Sequence, residues 1–159
     1  MELSAAQRER YERNLLVEGF TDRMQQALIA ARVAVVGAGG LGSAALNYLV
    51  AAGVGHLTLI ENDTVSLSNL QRQVLYTTAD MGRPKAEVAA MRLSRLNPGC
   101  DIRVVTDRLT AANAAGLLGG HDAVVDCTDN YDARYVIDDF CREAEVPMIY
   151  GTAEAVGGQ

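Results

Sequence analysis

Lysine is nearly missing from this chain of 159 residues: thirteen arginines stand beside one lysine, Lys85. No basic block occurs either. Twenty acidic against 14 basic side chains give a net charge of −6 and a pI of about 4.8. Nucleic-acid binders normally show a basic patch or stripe, so no nucleic-acid partner is expected, while a local cationic pocket for a small anion stays open. Long apolar runs are also lacking. The longest stretch without a polar side chain is the ten residues 33–42, several of them glycine, against the ~20 that a membrane helix needs. The opening MELSAAQRER has no apolar segment of the signal-peptide kind. The expectation is a soluble, cytoplasmic protein with no membrane partner. Cysteine is sparse and unpatterned. Cys100, Cys127 and Cys141 form no CxxC pair, so no zinc site of that type is readable, and buried, reduced thiols are expected.

Hydrophobic residues at 49% and charged residues at 21% are ordinary globular values. They exclude disorder, collagen and coiled coil as the main architecture. A chain this long buries roughly 70% of its unfolded surface as one domain. Two helices are predicted in an N-terminal arm over 1–31. Ser4 and Gln7 make a capping box for the first, Gly19 ends it, and Thr21 caps the second. The β-branched run RVAVV at 32–36 reads as a buried strand. GAGGLG follows at 37–42, then a helix whose apolar face is read as Leu41, Ala44, Ala45, Tyr48, Leu49 and Ala52, stopped by Gly53 and Gly55. HLTLIE at 56–61 is the second strand.

The polar stretch 62–82 is too long for an ordinary connection, and long loops in compact domains are usually functional. Pro84 suits the first turn of the next helix, with Ala86, Ala89, Ala90 and Leu93 on its apolar face and Asn97-Pro98-Gly99 at its end. Strands at 102–105, 122–126 and 147–150 alternate with helices near 110–118 and through Ala133, Val136, Ile137, Phe140, Cys141 and Ala144. Five strands alternating with helices predict an α/β, Rossmann-like doubly wound, mainly parallel sheet. The expected organisation is one nucleotide-binding domain over 1–159. Because GTAEAVGGQ follows directly on the fifth strand, that domain is expected to lack a C-terminal part.

Gly37, Gly39 and Gly42 form G-x-G-x-x-G between strand and helix, with Gly40 in addition. Such a turn lets a phosphate approach the backbone at a helix N-terminus. Glu61, 19 residues after Gly42, stands where an acid accepts hydrogen bonds from ribose hydroxyls. Ligands of open parallel sheets bind beyond the carboxyl ends of the strands. Toward that edge come Glu61, the loop residues Ser68, Asn69, Arg72 and Gln73, the segment DCTDN at 126–130, and Lys85. A triphosphate needs cations, which Arg72 and Lys85 supply, and a carboxylate for Mg²⁺, which Asp129 supplies. That set favours ATP over NAD(P) without excluding an NAD(P)-dependent oxidoreductase or a non-catalytic nucleotide-binding or dimerisation module.

VVGAGGLGS, AAGVGHLTLIENDTVSLSNLQRQVL, GRPKAE, RLNP and DCTDN together, with RYERN at 10–14, resemble the ThiF/MoeB/HesA family, bacterial relatives of ubiquitin-activating enzymes. The resemblance implies ATP-dependent adenylation of the C-terminal Gly-Gly carboxylate of a ubiquitin-like sulfur-carrier protein, with release of pyrophosphate. By the same resemblance Arg72 and Lys85 contact phosphates, Asn69 lies at the triphosphate and Asp129 holds Mg²⁺. Glu61 binds ribose, where the family more usually has Asp. Gly40 and its neighbours line the nucleotide, with Ser68 and Asn130 beside them. Arg13 matches an arginine that acts across subunits, which implies a homodimer; Asn14 stands in place of the usual Gln. The family's later strands, CxxC zinc ligands and sulfur-transfer cysteine have no counterpart in this chain. Adenylation by this chain alone is therefore expected to be poor. Gly157-Gly158 is no carrier tail, since Gln159 follows.

Overall fold

The structure, a computed structural model, describes residues 2–154 and 157–159. The N-terminal arm begins with the expected capping box. Ser4 Oγ accepts from the Gln7 amide at 3.2 Å, and Gln7 Oε1 accepts from the Ser4 amide at 2.9 Å. Helix α1 (Ala5–Arg10) then stops at Tyr11, and a short α2 (Glu12–Leu15) follows, four residues before Gly19. Thr21 caps α3 (Asp22–Ala30) through the Met24 amide. The arm thus has three helices rather than two. The break has a tertiary cause: the buried Tyr11 turns inward, and its hydroxyl accepts from Asn97 Nδ2 at 2.9 Å. Asn97 Nδ2 also donates to Val50 O. Asn14 and the fully buried Gln25 both donate to Ala52 O, so the arm is tied to the end of the next helix.

Strands β1 (Arg32–Val36), β2 (His56–Ile60), β3 (Asp101–Val105), β4 (Ala123–Asp126) and β5 (Met148–Tyr150) form a parallel sheet of order β3-β2-β1-β4-β5. Helices α4 (Gly40–Ala52), α5 (Lys85–Leu96), α6 (Ala114–Leu118) and α7 (Tyr131–Glu143) connect them. Both faces of the sheet are covered, as parallel sheets require. Val33 and Val35 pack with Leu46 and Val50 of α4 and Val88 and Leu93 of α5. Ala34 and Val36 face the other way, toward Leu118 of α6 and Ile137 and Cys141 of α7. The α/β, doubly wound reading holds.

Several boundaries move. Helix α6 is five residues long and starts at Ala114, because Asn113 Oδ1 caps the Thr110 amide and 110–113 is a turn. Pro84 is the cap of α5 and lies just outside it. A short antiparallel pair, β6 (Ala153–Glu154) and β7 (Gly157–Gly158), was not anticipated. The face read for α4 is rotated. Leu41 is 37% and Tyr48 77% exposed, while Gly42, Ser43, Leu46 and Val50 are buried. All three thiols are buried and free. Burial, aided by Asp101 and Asp126, pushes Cys100 and Cys127 up to about 11; burial with Asp138 raises Cys141. No helix among the described residues is long and apolar enough to cross a membrane.

The polar stretch is ordered by its own bonds. Two 3₁₀ turns, Leu67–Asn69 and Thr78–Asp80, carry capping boxes of their own. The buried Asp80 accepts from the Thr77 amide and hydroxyl, both at 2.8 Å, and from Arg92 of α5 at 2.5 Å. Burial alone would raise this carboxyl, but the Thr77 hydrogen bonds and the Arg92 and Arg83 charges outweigh it and hold it below its ordinary value. A depressed folded pKa gives stability that is present at neutral pH and lost as pH falls through that pKa. Asp80→Asn is therefore expected to lose about 2–3 kcal/mol at pH 7. In urea denaturation its gap to the native chain should narrow below about pH 4; an unchanged gap at pH 3 would contradict this account.

Candidate functional site

The cleft lies where β1 is flanked by β2 on one side and β4 on the other, so the loops after these strands diverge. It has a volume of about 840 Å³ and is lined from every strand end: Gly37 and Gly39–Leu41 after β1, Glu61–Asp63 after β2, Arg108 and Leu109 after β3, Cys127–Tyr131 after β4, and Thr152 and Ala153 after β5. Arg72, Gln73 and Lys85 complete it from the polar stretch and α5.

Glycine is required at two positions of its floor. Gly37 has φ +95°, and a Cβ there would stand 2.8 Å from Cys127 O. A Cβ on Gly42 would stand 2.1 Å from Gly37 O. Strand end, helix start and β4 loop therefore meet backbone to backbone. Helix α4 has Gly39 as its cap with no side-chain hydrogen bond, so its first amides face the cleft unscreened. Gly40 differs: a Cβ there would meet only the Arg72 side chain, at 3.5 Å. Tyr76 locks the turn from behind by donating to Ala38 O at 2.9 Å. Burial, then the Glu61 charge, raises its phenol, so the donor keeps its proton.

Charge is placed by matching hydrogen bonds. Glu61 stands just beyond β2, its Oε2 accepting from the Ala38 amide and its Oε1 from the Asp63 amide, each at 2.8 Å. Lys85 is 3% exposed, and Nζ donates to Asp63 Oδ2 at 3.1 Å. An ammonium has three donors, so this bond leaves two for a ligand. Arg72 is exposed, folded over Gly40 and bonded to Ser68 O at 3.3 Å. The fully buried Asp126 shapes the DCTDN loop. It accepts from the Thr128 amide at 2.8 Å and hydroxyl at 2.6 Å, and from Arg134 Nε at 2.7 Å. Arg134 in turn donates to Thr128 O and Gly151 O. Asp129 is thereby projected into the cleft, exposed, and no hydrogen bond or ion pair engages it among the described residues.

Of the anticipated residues, Gly37, Gly39, Gly40, Glu61, Arg72, Lys85, Asp129 and Asn130 share this cleft. Four do not line it. Gly42 packs against Gly37. Asn69 Oδ1 is engaged by the Ser66 amide at 3.2 Å, and Ser68 Oγ lies 3.2 Å from Ser66 Oγ. Arg13 projects from α2, 87% exposed and 3.8 Å from Glu12. Asn130 reaches the cleft but spends its Oδ1 capping α7 through the Ala133 amide. Asp63, Arg108 and Arg134 are not singled out by the sequence, and Asp126 stands out there only as part of DCTDN, without its partner. Their signals were weak: Asp63 is one polar residue of a polar loop, and Arg134 lies eight residues from its partner. No cluster of three His, Cys, Asp or Glu suited to a metal occurs among the described residues. One open carboxylate does fit Mg²⁺, which takes one or two carboxylates and completes its shell with phosphate oxygens and water.

The two kinds of glycine should separate experimentally. Gly42→Ala is expected to cost at least about 3 kcal/mol or to prevent folding, since backbone would have to move. Gly40→Ala should stay within about 1 kcal/mol, because a flexible arginine can yield. Thermal melts of the two variants check this, and equal losses would contradict it.

Residues 11–159 match the ThiF family. The molybdopterin-synthase adenylyltransferase of Salmonella typhimurium is 48% identical over 158 residues, 99% of this chain and 64% of that protein. The SAMP-activating enzyme E1 of Haloferax volcanii is 41% identical over 159 residues, 100% of this chain and 59% of that protein. Among solved structures, E. coli tRNA N6-threonylcarbamoyladenosine dehydratase in complex with ATP has a TM-score of 0.88 at 32% identity, over 94% of this chain and 61% of that one. The chain spans less than two thirds of the length of these relatives. By the extent of the match and by the cleft it folds, the chain belongs to the ThiF family.

Proposed function

We propose that residues 1–159 are one nucleotide-binding unit that adenylates the C-terminal Gly-Gly carboxylate of a ubiquitin-like sulfur-carrier protein with ATP. The observation that carries this reading is the convergence of an unscreened helix N-terminus, a buried lysine with two spare donors, an exposed arginine and an open carboxylate on one cleft. Relatives named as adenylyltransferases of molybdopterin synthase and of the sulfur carrier ThiS, and an ATP-bound structural relative, support it. They favour ATP over NAD(P).

In this reading a carrier carboxylate oxygen attacks the α-phosphorus, the bond to the bridging oxygen breaks, and pyrophosphate leaves, giving an acyl-adenylate. Two anions must meet, so cations fixed beforehand supply most of the barrier reduction. The amides at Gly39 and Gly40 and the Lys85 ammonium hold phosphate oxygens. Arg72 closes over them from above Gly40. Glu61, oriented by two amides, accepts from the ribose hydroxyls. Asp129 would hold Mg²⁺, which when bound neutralises charge on the phosphate oxygens. Asn69 and Ser68 act at the triphosphate only if the 3₁₀ turn opens; otherwise they shape the loop that presents Arg72. Arg13 completes the partner subunit's site in a homodimer.

Arg72→Ala, Lys85→Ala and Asp129→Ala are each expected to lower carrier-dependent ATP–pyrophosphate exchange by about 10²-fold or more. Normal exchange in all three would overturn the assignment. Lys85→Arg should not restore activity, because a planar fork does not fit where an ammonium is buried. Arg13→Ala and Asp129→Ala protomers, each inactive alone, should regain exchange when mixed. Failure to complement would remove the cross-subunit role and leave the rest standing.

A further inference from the structure

Gln73 is 4% exposed and lies on the wall of the cleft. Its Oε1 is buried with no hydrogen-bond partner among the described residues, and it is the one side-chain atom there in that state. Native proteins rarely leave a buried acceptor unmet, and each exception calls for a physical reason. The backbone around Gln73 is fixed on both sides. Its amide donates to Asn69 O at 2.9 Å, and its carbonyl accepts from the Tyr76 amide at 3.1 Å. Burial then leaves the side chain little choice of direction. Its Nε2 stands 3.5 Å from where a Cβ of Gly39 would be, against the cap of α4. A Cβ on Gly39 would meet that nitrogen and, among the described residues beyond its chain neighbours, no other atom within 4 Å. Turning the amide over would bring a carbonyl oxygen to a site built to receive an anion.

From this we propose that Gln73 is a further nucleotide-binding residue: Nε2 donates to a phosphate oxygen at the N-terminus of α4, and the unmet Oε1 is a loss of stability accepted for that contact. The inference rests on the nucleotide reading of the cleft. It predicts opposite signs for stability and binding, which a merely structural glutamine would not give. A packing residue loses both when replaced.

The experiment is calorimetric titration of Mg-ATP into the full chain and into Gln73→Met and Gln73→Glu, with thermal melts of each protein alone. Gln73→Met keeps the volume and removes the amide. Its melting temperature is expected to be unchanged or higher, while its Kd for Mg-ATP rises about tenfold, as for loss of a hydrogen bond to a charged group. Gln73→Glu places a carboxylate against the phosphate and should weaken binding further still. Wild-type affinity in Gln73→Met, or a melting temperature lowered by several degrees, would overturn the proposal. A native chain that binds no Mg-ATP would instead overturn the nucleotide reading beneath it.

Discussion

A helix can present its first amides to a ligand at a sheet edge only if the turn that feeds it takes up almost no space. In this fold that condition is met by Gly37 and Gly42, whose backbones touch so closely that a Cβ on the second would lie 2.1 Å from the carbonyl of the first. Cys127, from the β4 loop, closes the third side. Everything that gives the cleft its chemistry is positioned relative to this contact. The Ala38 amide that holds Glu61 and the Ala38 carbonyl that receives Tyr76 are on the same turn. The β4 loop that carries Asp129 leans on it directly.

The second constraint is electrostatic. For the proposed nucleotide, a chain of net charge −6 would have to gather positive charge locally, with each cation held without being neutralised. Two solutions appear. Lys85 is buried beside one carboxylate, which offsets part of its desolvation while leaving donors unspent. Arg72 stays solvated and, among the described residues, is tethered only by a backbone carbonyl. Arg134 is the contrasting case. Its guanidinium donates to Asp126, Thr128 O and Gly151 O, so it braces the loop.

Much of the fold was legible because it rests on local signals. Short β-branched runs and the glycine turn marked the strands and the switch point, and the Ser4 and Thr21 caps acted as their chemistry predicts. Contacts between distant residues were not legible. The arm breaks at Tyr11 because Asn97, 86 residues away, takes its hydroxyl. The buried face of α4 departs from the apolar pattern because Gly42 packs on the Gly37 backbone and Ser43 Oγ lies 3.5 Å from Ala38 O, contacts that hydrophobic periodicity does not register. The site divides in the same way. Glu61, Arg72, Lys85 and Asp129 stood out by type and position. Asp63, Asp126 and Arg134 matter only through pairings that the sequence does not display.

The scarcity of lysine acquires a physical sense from these pairings. Arginine serves wherever a guanidinium lies on a surface or forks between acceptors, as Arg92 does between Leu75 O, Thr77 and Asp80. At position 85 the side chain is nearly sealed, and its head sits between the Asp63 carboxylate and the cleft. A compact ammonium fits there and keeps two rotatable donors, which the proposed function directs at phosphate oxygens; a rigid fork of five donors would leave several of them unmet in a dry site. The one lysine of the chain thus falls at a nearly sealed position where a compact head meets both a carboxylate and the cleft.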